Sequence, residues 1–208
     1  ETWVFDIGTG EVDWNADYEY ADWNFNVVNG NIYQVLRSEK SPPTFHRLMK
    51  TTLEGSQWEE ELVLYQDSLN GFHPDIVGPS LWQSPKGEMM LIFMNRGYTQ
   101  SKARVDLYAY NLVTQKVDLK VLDIDSNMVS PIAPLIDQNM AYIKGKNHIS
   151  CIDLIVGEIK WSGAFNGLDG NMEGSNLTVN GNNLLVHQGE ALYSFNKYSG
   201  NLTWRNAS

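Results

Sequence analysis

A ten-residue phrase recurs along this chain of 208 residues and constrains its fold more than any other feature. Each clear copy has an acidic or amide residue second, a glycine sixth and a tryptophan last: Phe5–Trp14, Ile152–Trp161 and Phe195–Trp204. Weaker copies, Leu48–Trp58 and Tyr110–Leu119, place the anchor residues at 14, 58, 119, 161 and 204, which are 44, 61, 42 and 43 residues apart. A period of about 40–45 residues carried by turn residues and aromatics indicates a stacked or radial repeat fold.

Each phrase predicts a β-hairpin. In the last copy, the alternating run Leu192–Phe195 leads to a turn that ends at Gly200, where glycine supplies the positive φ of a tight turn. In the strand that follows, alternation places Leu202 and Trp204 on one face. Since one hairpin cannot bury its own apolar face, we expect the terminal tryptophan to pack against the neighbouring unit.

Two further strands precede each phrase after the first, which gives four strands per unit. Asn29-Gly30, between two alternating apolar runs, is a strong hairpin signal, and no window shows a long helical period. The predicted strands are Trp23–Val28, Ile32–Leu36, Ile76–Trp82, Met89–Met94, Ile132–Ile136, Met140–Ile143, Leu177–Val179 and Leu184–His187. Four-stranded units in radial repetition predict an all-β fold, the β-propeller.

The repeat boundaries predict about four and a half blades in one domain that covers residues 1–208. The units run over about 1–20 (a partial unit), 21–71, 72–127, 128–166 and 167–208. The first unit supplies only its last two strands, whereas the last unit completes its own blade. We therefore expect an open array or a fragment of a larger propeller.

The phrase resembles the repeat of the PQQ-like (quinoprotein-type) propellers, which reads Leu-Tyr-Ala-Phe-Asp-x-x-Thr-Gly-x-x-x-Trp. The segments that carry the resemblance are Val4–Gly10, Leu107–Asn111 and Leu192–Asn196. That family includes quinoprotein alcohol dehydrogenases, the propeller lipoprotein of the outer-membrane β-barrel assembly machinery and luminal stress-sensor domains. The resemblance implies a periplasmic or extracellular location, and it makes PQQ and calcium the cofactors to consider.

Composition excludes some classes of function. The formal net charge of −10 disfavours nucleic acid as a partner, because phosphate binding needs a basic surface. No run of 18 apolar residues occurs, so no membrane-spanning helix is expected. Cys151 is the single cysteine, which rules out an internal disulfide and is typical of a small core residue.

Recognition is expected at a polar insertion, since insertions within repeats map to loops on one face, often the binding face. The widest spacing between anchors contains the polar run Asn95–Arg104, which we interpret as a loop. Arg96, Tyr98 and Arg104 are the candidate residues for binding a ligand or partner. No residues are assigned a catalytic role, because the sequence has no nucleophile elbow, P-loop or paired metal-ligand histidines.

A second candidate site resembles the first half of a calcium loop. Asp169, Asn171 and Glu173 place oxygen ligands at alternate positions, and Gly174 follows as the sixth residue. The twelfth position is Asn180 rather than the bidentate glutamate of such loops. The alternative interpretation of this segment is a polar loop between blades that binds no ion.

These observations favour a non-catalytic propeller scaffold that binds a partner protein or small ligand through the loops of one face. Two alternatives stay open. One is a PQQ-dependent oxidoreductase, or a fragment of one, in which calcium and PQQ would be bound. The other is a luminal or periplasmic sensor or structural domain that self-associates through exposed sheet edges.

Overall fold

The structure is a computed structural model that describes residues 2–5, 8–16, 21–37, 46–52, 57–61, 75–99, 102–127, 131–165, 177–188 and 191–207. These residues form an initial hairpin and four blades, each blade a four-stranded antiparallel sheet. The initial hairpin consists of β1 (Thr2–Phe5) and β2 (Val12–Ala16), and blade one consists of β3 (Ala21–Val28), β4 (Asn31–Arg37), β5 (His46–Thr52) and β6 (Gln57–Glu61).

Blades two to four repeat the same order of strands. Blade two consists of β7 (Ile76–Gln83), β8 (Met89–Tyr98), β9 (Ala103–Asn111) and β10 (Lys116–Asp125). Blade three consists of β11 (Leu135–Asp137), β12 (Met140–Lys144), β13 (His148–Asp153) and β14 (Glu158–Ala164). Blade four consists of β15 (Leu177–Asn180), β16 (Asn183–Gln188), β17 (Ala191–Asn196) and β18 (Leu202–Ala207).

The blades meet through their first strands. β3 and β4 of blade one contact β7 of blade two, β7 contacts β11 of blade three, and β11 contacts β15 of blade four. Four consecutive meanders joined at their first strands are the arrangement of a β-propeller, so the predicted fold class is confirmed. The initial hairpin is a separate two-stranded sheet, and β18 is the outer strand of blade four.

Hairpin turns lie where the sequence predicts them. Asn29 and Gly30 adopt φ values of 49° and 73°, as a two-residue turn with two positive φ angles requires. The strand predicted over Ile132–Ile136 is shorter than expected, because β11 begins only at Leu135. Pro134 directly precedes it and has no N–H with which to extend the ladder.

The predicted polar loop over Asn95–Arg104 is wrong. β8 continues to Tyr98 and β9 begins at Ala103, and the paired residues include Arg96 with Val105 and Tyr98 with Ala103. Arg96 and Arg104 are accommodated in this ladder because they form ion pairs with Asp75 and Asp106. Residues 95–98, 103 and 104 thus lie in two paired strands rather than in a loop.

Among the described residues, three clusters of buried apolar side chains form the core, and each involves two successive blades. The largest joins blades two and three through residues that include Trp82, Ile92 and Ile152. Blades three and four share a cluster that contains Tyr142, Phe165 and Cys151, whose side chain is fully buried. The core position predicted for the single cysteine is therefore confirmed. Nowhere in the described part of the chain is there a helix long and apolar enough to cross a membrane.

Candidate binding surface at the junctions between blades

The phrase turns have one geometry in blades two, three and four. The side-chain oxygen of Asn111, Asp153 or Asn196 accepts hydrogen bonds from the backbone N–H groups two and three residues later. This side-chain cap holds each turn closed and directs its middle residues outward. The surface formed by residues 112–115, 154–157 and 197–199 is here termed the turn face. Its exposed apolar side chains are Val113, Ile155, Val156 and Tyr198.

A β-bulge precedes the anchor residue in four of the described phrases. The anchors Trp14, Leu119, Trp161 and Trp204 lie opposite Val4, Ala109, Cys151 and Ser194, and the residue before each anchor has no partner in the ladder. A bulge bends the strand and changes the direction of the next side chain. Leu119 and Trp161 are thereby turned toward the following blade, where each covers a glycine. The one-residue register shift is part of the repeat.

Trp161 joins blade three to blade four. Its ring covers Gly200, where a methyl group added to the backbone would lie 2.4 Å from Cε3 of the indole. Gly200 has φ +72° and is the sixth residue of the next phrase. The indole Nε1 donates to the backbone oxygen of Lys197 at 3.1 Å. The predicted packing of the anchor against the neighbouring unit is confirmed at this junction.

Polar groups reinforce the same junction. Tyr142 donates its hydroxyl to the backbone oxygen of Lys197 at 3.2 Å, and the Tyr142 and Trp161 rings lie 6.0 Å apart. Burial raises the pKa of the Tyr142 hydroxyl far above its ordinary value, so the group remains a donor. The Lys197 ammonium contacts the Asp137 carboxylate at 2.6 Å, and this hydrogen bond raises the pKa of Lys197. Blades three and four are therefore joined by aromatic packing and by directed polar bonds.

Leu119 occupies the equivalent position between blades two and three. A methyl group added at Gly157 would lie 2.8 Å from Cδ1 of Leu119, which shows that the leucine covers the glycine of the next phrase. Across the strands of blade two, Leu119 pairs with Ala109, and Ala109 pairs with Ile92. The equivalent residues of blade three are Trp161, Cys151 and Tyr142. Leu119 and Ile92 have no side-chain donor. This junction consequently lacks the two hydrogen bonds that the backbone oxygen of Lys197 accepts in the other.

A cleft of about 290 Å³ opens beside Leu119 on the turn face. Its apolar wall is formed by Trp82, Met90, Leu119, Leu154 and Ile155, and its polar rim by Ser84, Lys86, Glu88 and Asp118, with Pro85 between them. Trp82 is buried, and its Nε1 donates to Asn139 Oδ1 of blade three at 3.3 Å. The cleft is thus an apolar opening between two blades with a few charges at its mouth, a form typical of binding sites.

The three residues predicted to bind a partner lie at the other end of blade two. Arg96 forms an ion pair with Asp75, and only 11% of its side chain is exposed. Arg104 Nε lies 3.0 Å from Asp106 Oδ1 and 3.1 Å from Asp123 Oδ1. Tyr98 is half-buried at the end of β8. Both guanidinium groups are therefore engaged within the blade, and a role in recognition stays a prediction.

An acidic residue at this same end links blades two and three. Asp125 ends β10, and its Oδ2 lies 3.1 Å from Nε2 of His148, which begins β13. Burial alone would raise the pKa of the Asp125 carboxyl, but the neighbouring His148 imidazole and the hydrogen bonds from Asn127 lower it below its ordinary value. The contact ties the two blades at the end away from the turn face.

The proposed calcium ligands Asp169, Asn171 and Glu173 lie outside the described residues. Among the residues that are described, no group of three or more His, Cys, Asp or Glu side chains could hold a metal ion. Calcium binding by the 169–174 segment stays a prediction.

Sequence reasoning missed the cleft, although its origin was visible. The phrase that ends at Leu119 departs from the repeat by having leucine where the clear copies have tryptophan. The departure reads as a weakened copy in the sequence, whereas in the structure it opens space between two blades. A missing anchor in one repeat is the signal that could have located the cleft.

No protein-family model matches the chain, and no curated protein matches its sequence. Among solved structures, BamB from Moraxella catarrhalis is similar to 95% of this chain, with 11% identity and a TM-score of 0.46. Apo AztD from Citrobacter koseri is similar to 88% of this chain, with 10% identity and a TM-score of 0.43. The chain covers 65% and 58% of those two proteins, which is less than two-thirds of each. Both are similarities of fold only.

Proposed function

We propose that this chain is a non-catalytic propeller scaffold that binds a partner protein through its turn face, at the cleft between blades two and three. The apolar cleft beside Leu119 is the observation that carries the proposal. Its mouth is bordered by Ile155, a residue that is 57% exposed, and Val156 is exposed next to it. Exposed apolar groups around a concave apolar site are features of protein interaction surfaces.

A location outside the cytoplasm belongs to the same proposal. It is supported by the resemblance of the phrase to the PQQ-like repeat. The partner is then expected to be a secreted or periplasmic protein. The surface charge favours a partner that is not a nucleic acid, since the formal net charge is −10.

The test compares three single substitutions in capture of crosslinked partners from an extract of the source cells, followed by mass spectrometry. Ile155→Asp places a charge at the mouth of the cleft and should abolish capture of the partner. Val27→Asp is the matched control, because Val27 is 53% exposed on blade one, away from the cleft. It should leave capture unchanged.

The third substitution, Tyr98→Ala, tests the alternative surface at the β8–β9 hairpin. If Tyr98→Ala abolishes capture and Ile155→Asp does not, the partner binds the hairpin end of blade two and the cleft proposal is wrong. Equal capture by all three variants and the parent chain would also exclude both surfaces. Circular dichroism of each variant establishes that the fold is retained.

A further inference from the structure

We infer that the cleft receives an aromatic side chain, most suitably an indole, from the partner polypeptide. The inference rests on the proposed function and names the chemistry of the group that is bound. The partner's aromatic ring would lie beside Leu119, in the part of junction two/three that the larger Trp161 side chain fills at junction three/four. Trp161 of this chain is thereby an example of an indole packed at an equivalent junction.

The two sites have equivalent backbones. Leu154 and Lys197 each follow the capping residue of their turn, and their N–H groups donate to Asn139 O at 2.8 Å and to Asn182 O at 2.9 Å. The glycines that the anchors cover, Gly157 and Gly200, have φ values of +75° and +72°. The backbone oxygen of Leu154 therefore corresponds in position to that of Lys197, which accepts the indole N–H of Trp161.

The two junctions differ in the size of the anchor side chain, and the smaller anchor leaves space for an incoming ring. Leu119 fills less of the junction than tryptophan would, and the cleft of about 290 Å³ lies beside it. Ligand sites for drug-sized molecules span about 300–1,000 Å³, so this cleft suits a single large side chain. Its wall is apolar, with Met90, Leu154 and Ile155 available to contact a ring.

Charges at the rim indicate what flanks the aromatic residue. Glu88 and Asp118 supply two carboxylates against the single ammonium of Lys86. Asp118 Oδ2 accepts a hydrogen bond from Asn111 Nδ2 at 2.7 Å, which fixes its carboxylate next to the turn. A partner segment with a basic residue beside its aromatic residue would complement this rim.

The experiment titrates the blocked tripeptide Lys-Trp-Lys into the isotopically labelled chain and follows backbone amide shifts by NMR. Saturable shifts are expected at Leu119, Leu154 and Ile155. A tripeptide with alanine in place of tryptophan should bind at least tenfold more weakly. Shifts confined to other parts of the chain, or equal binding of the two peptides, would overturn the inference.

Leu119→Trp supplies the missing anchor from within the chain. It should fill the cleft, weaken peptide binding at least tenfold and raise the melting temperature. Retained binding by a folded Leu119→Trp variant would overturn the inference.

Ile155→Lys serves if the Leu119→Trp variant does not fold, since Ile155 is exposed and the added ammonium repels the lysines of the peptide. It should also weaken binding at least tenfold. Val27→Lys is its control, because Val27 is exposed on blade one and does not line the cleft, and unequal effects of the two are required. If Ile155→Asp abolishes partner capture while Lys-Trp-Lys does not bind the cleft, the binding surface stands and the aromatic occupant is wrong.

Discussion

Junctions two/three and three/four have one backbone geometry and different chemistry. In junction three/four, Trp161 covers Gly200 and shares the backbone oxygen of Lys197 with Tyr142. In junction two/three, Leu119 covers Gly157 without a side-chain donor, and a cleft remains. The comparison shows that the turn and the bulge specify where two blades meet, whereas the anchor residue decides how tightly they are joined and whether the junction is open to a ligand.

The largest effect is expected from Gly200→Ala. The added methyl group would meet Cε3 and Cδ2 of Trp161 at 2.4 and 2.6 Å, and alanine is strained at φ +72°. Overpacking and backbone strain together should lower the free energy of unfolding by about 3 kcal/mol in urea denaturation. Gly181→Ala is the control, because Gly181 has a similar φ of +60° and open space around it. Equal losses in the two variants would contradict the packing of Trp161 on this glycine.

Trp161→Leu makes junction three/four resemble junction two/three. It removes the indole and its hydrogen bond to Lys197, so the free energy of unfolding should fall by about 2–3 kcal/mol. Trp204→Leu is the matched control, since Trp204 is an anchor of the same phrase but is 43% exposed. Its loss should stay below about 1 kcal/mol. The comparison of the two junctions fails if both leucine variants are equally stable.

Asp137→Asn separates the ion pair from the aromatic packing in junction three/four. The substitution leaves the ammonium of Lys197 without its carboxylate. The Asp137 side chain is 25% exposed, so solvent screening weakens the ion pair. The expected loss in the free energy of unfolding is about 1 kcal/mol. A double-mutant cycle with Lys197→Met measures the coupling, and a coupling energy of zero would show that the pair contributes nothing.

The smallest effect concerns Asp125 and His148 in junction two/three, and it depends on pH. Because the pKa of Asp125 is lowered in the folded state, its stabilisation is fully present above the ordinary carboxyl value of about 3.9. It is lost as the pH falls below that value through the lowered pKa. Asp125→Asn should therefore show a shallower loss of stability between about pH 4 and pH 2, measured by thermal denaturation. Parallel curves for the variant and the parent chain would remove this contact from junction two/three.

The hairpins of the fold could be predicted from the sequence because their signals are local. Asn29 and Gly30 determine their turn through the φ angles that they accept, and the alternating runs on either side supply the strands. The bulges before the anchors could not be predicted. A bulge adds one residue to a strand, and in the sequence this is indistinguishable from ordinary alternation.

The prediction of a polar loop over Asn95–Arg104 failed for a different reason. A polar run suggests solvent, but the carboxylate that pairs with Arg96 belongs to Asp75, 21 residues earlier. Such a distant partner has no local signal. The cleft could be predicted only in part. The leucine at 119 is visible in the repeat, whereas the space beside it depends on how two blades pack.

Because of the bulge, adjacent residues of a phrase serve different blades. The bulged residues Asp118, Lys160 and Thr203 each contact their own blade, through Asn111, Asp153 and Ser194, whereas Leu119 and Trp161 reach the next one. In a linear array, stability is approximately a sum of terms within each repeat and coupling terms between neighbours. In the phrase, the bulged residue contributes to stability within a blade, and the anchor contributes to coupling between blades. A substitution of the anchor can therefore alter the cooperativity of unfolding at one junction while the intrinsic stability of every blade stays the same.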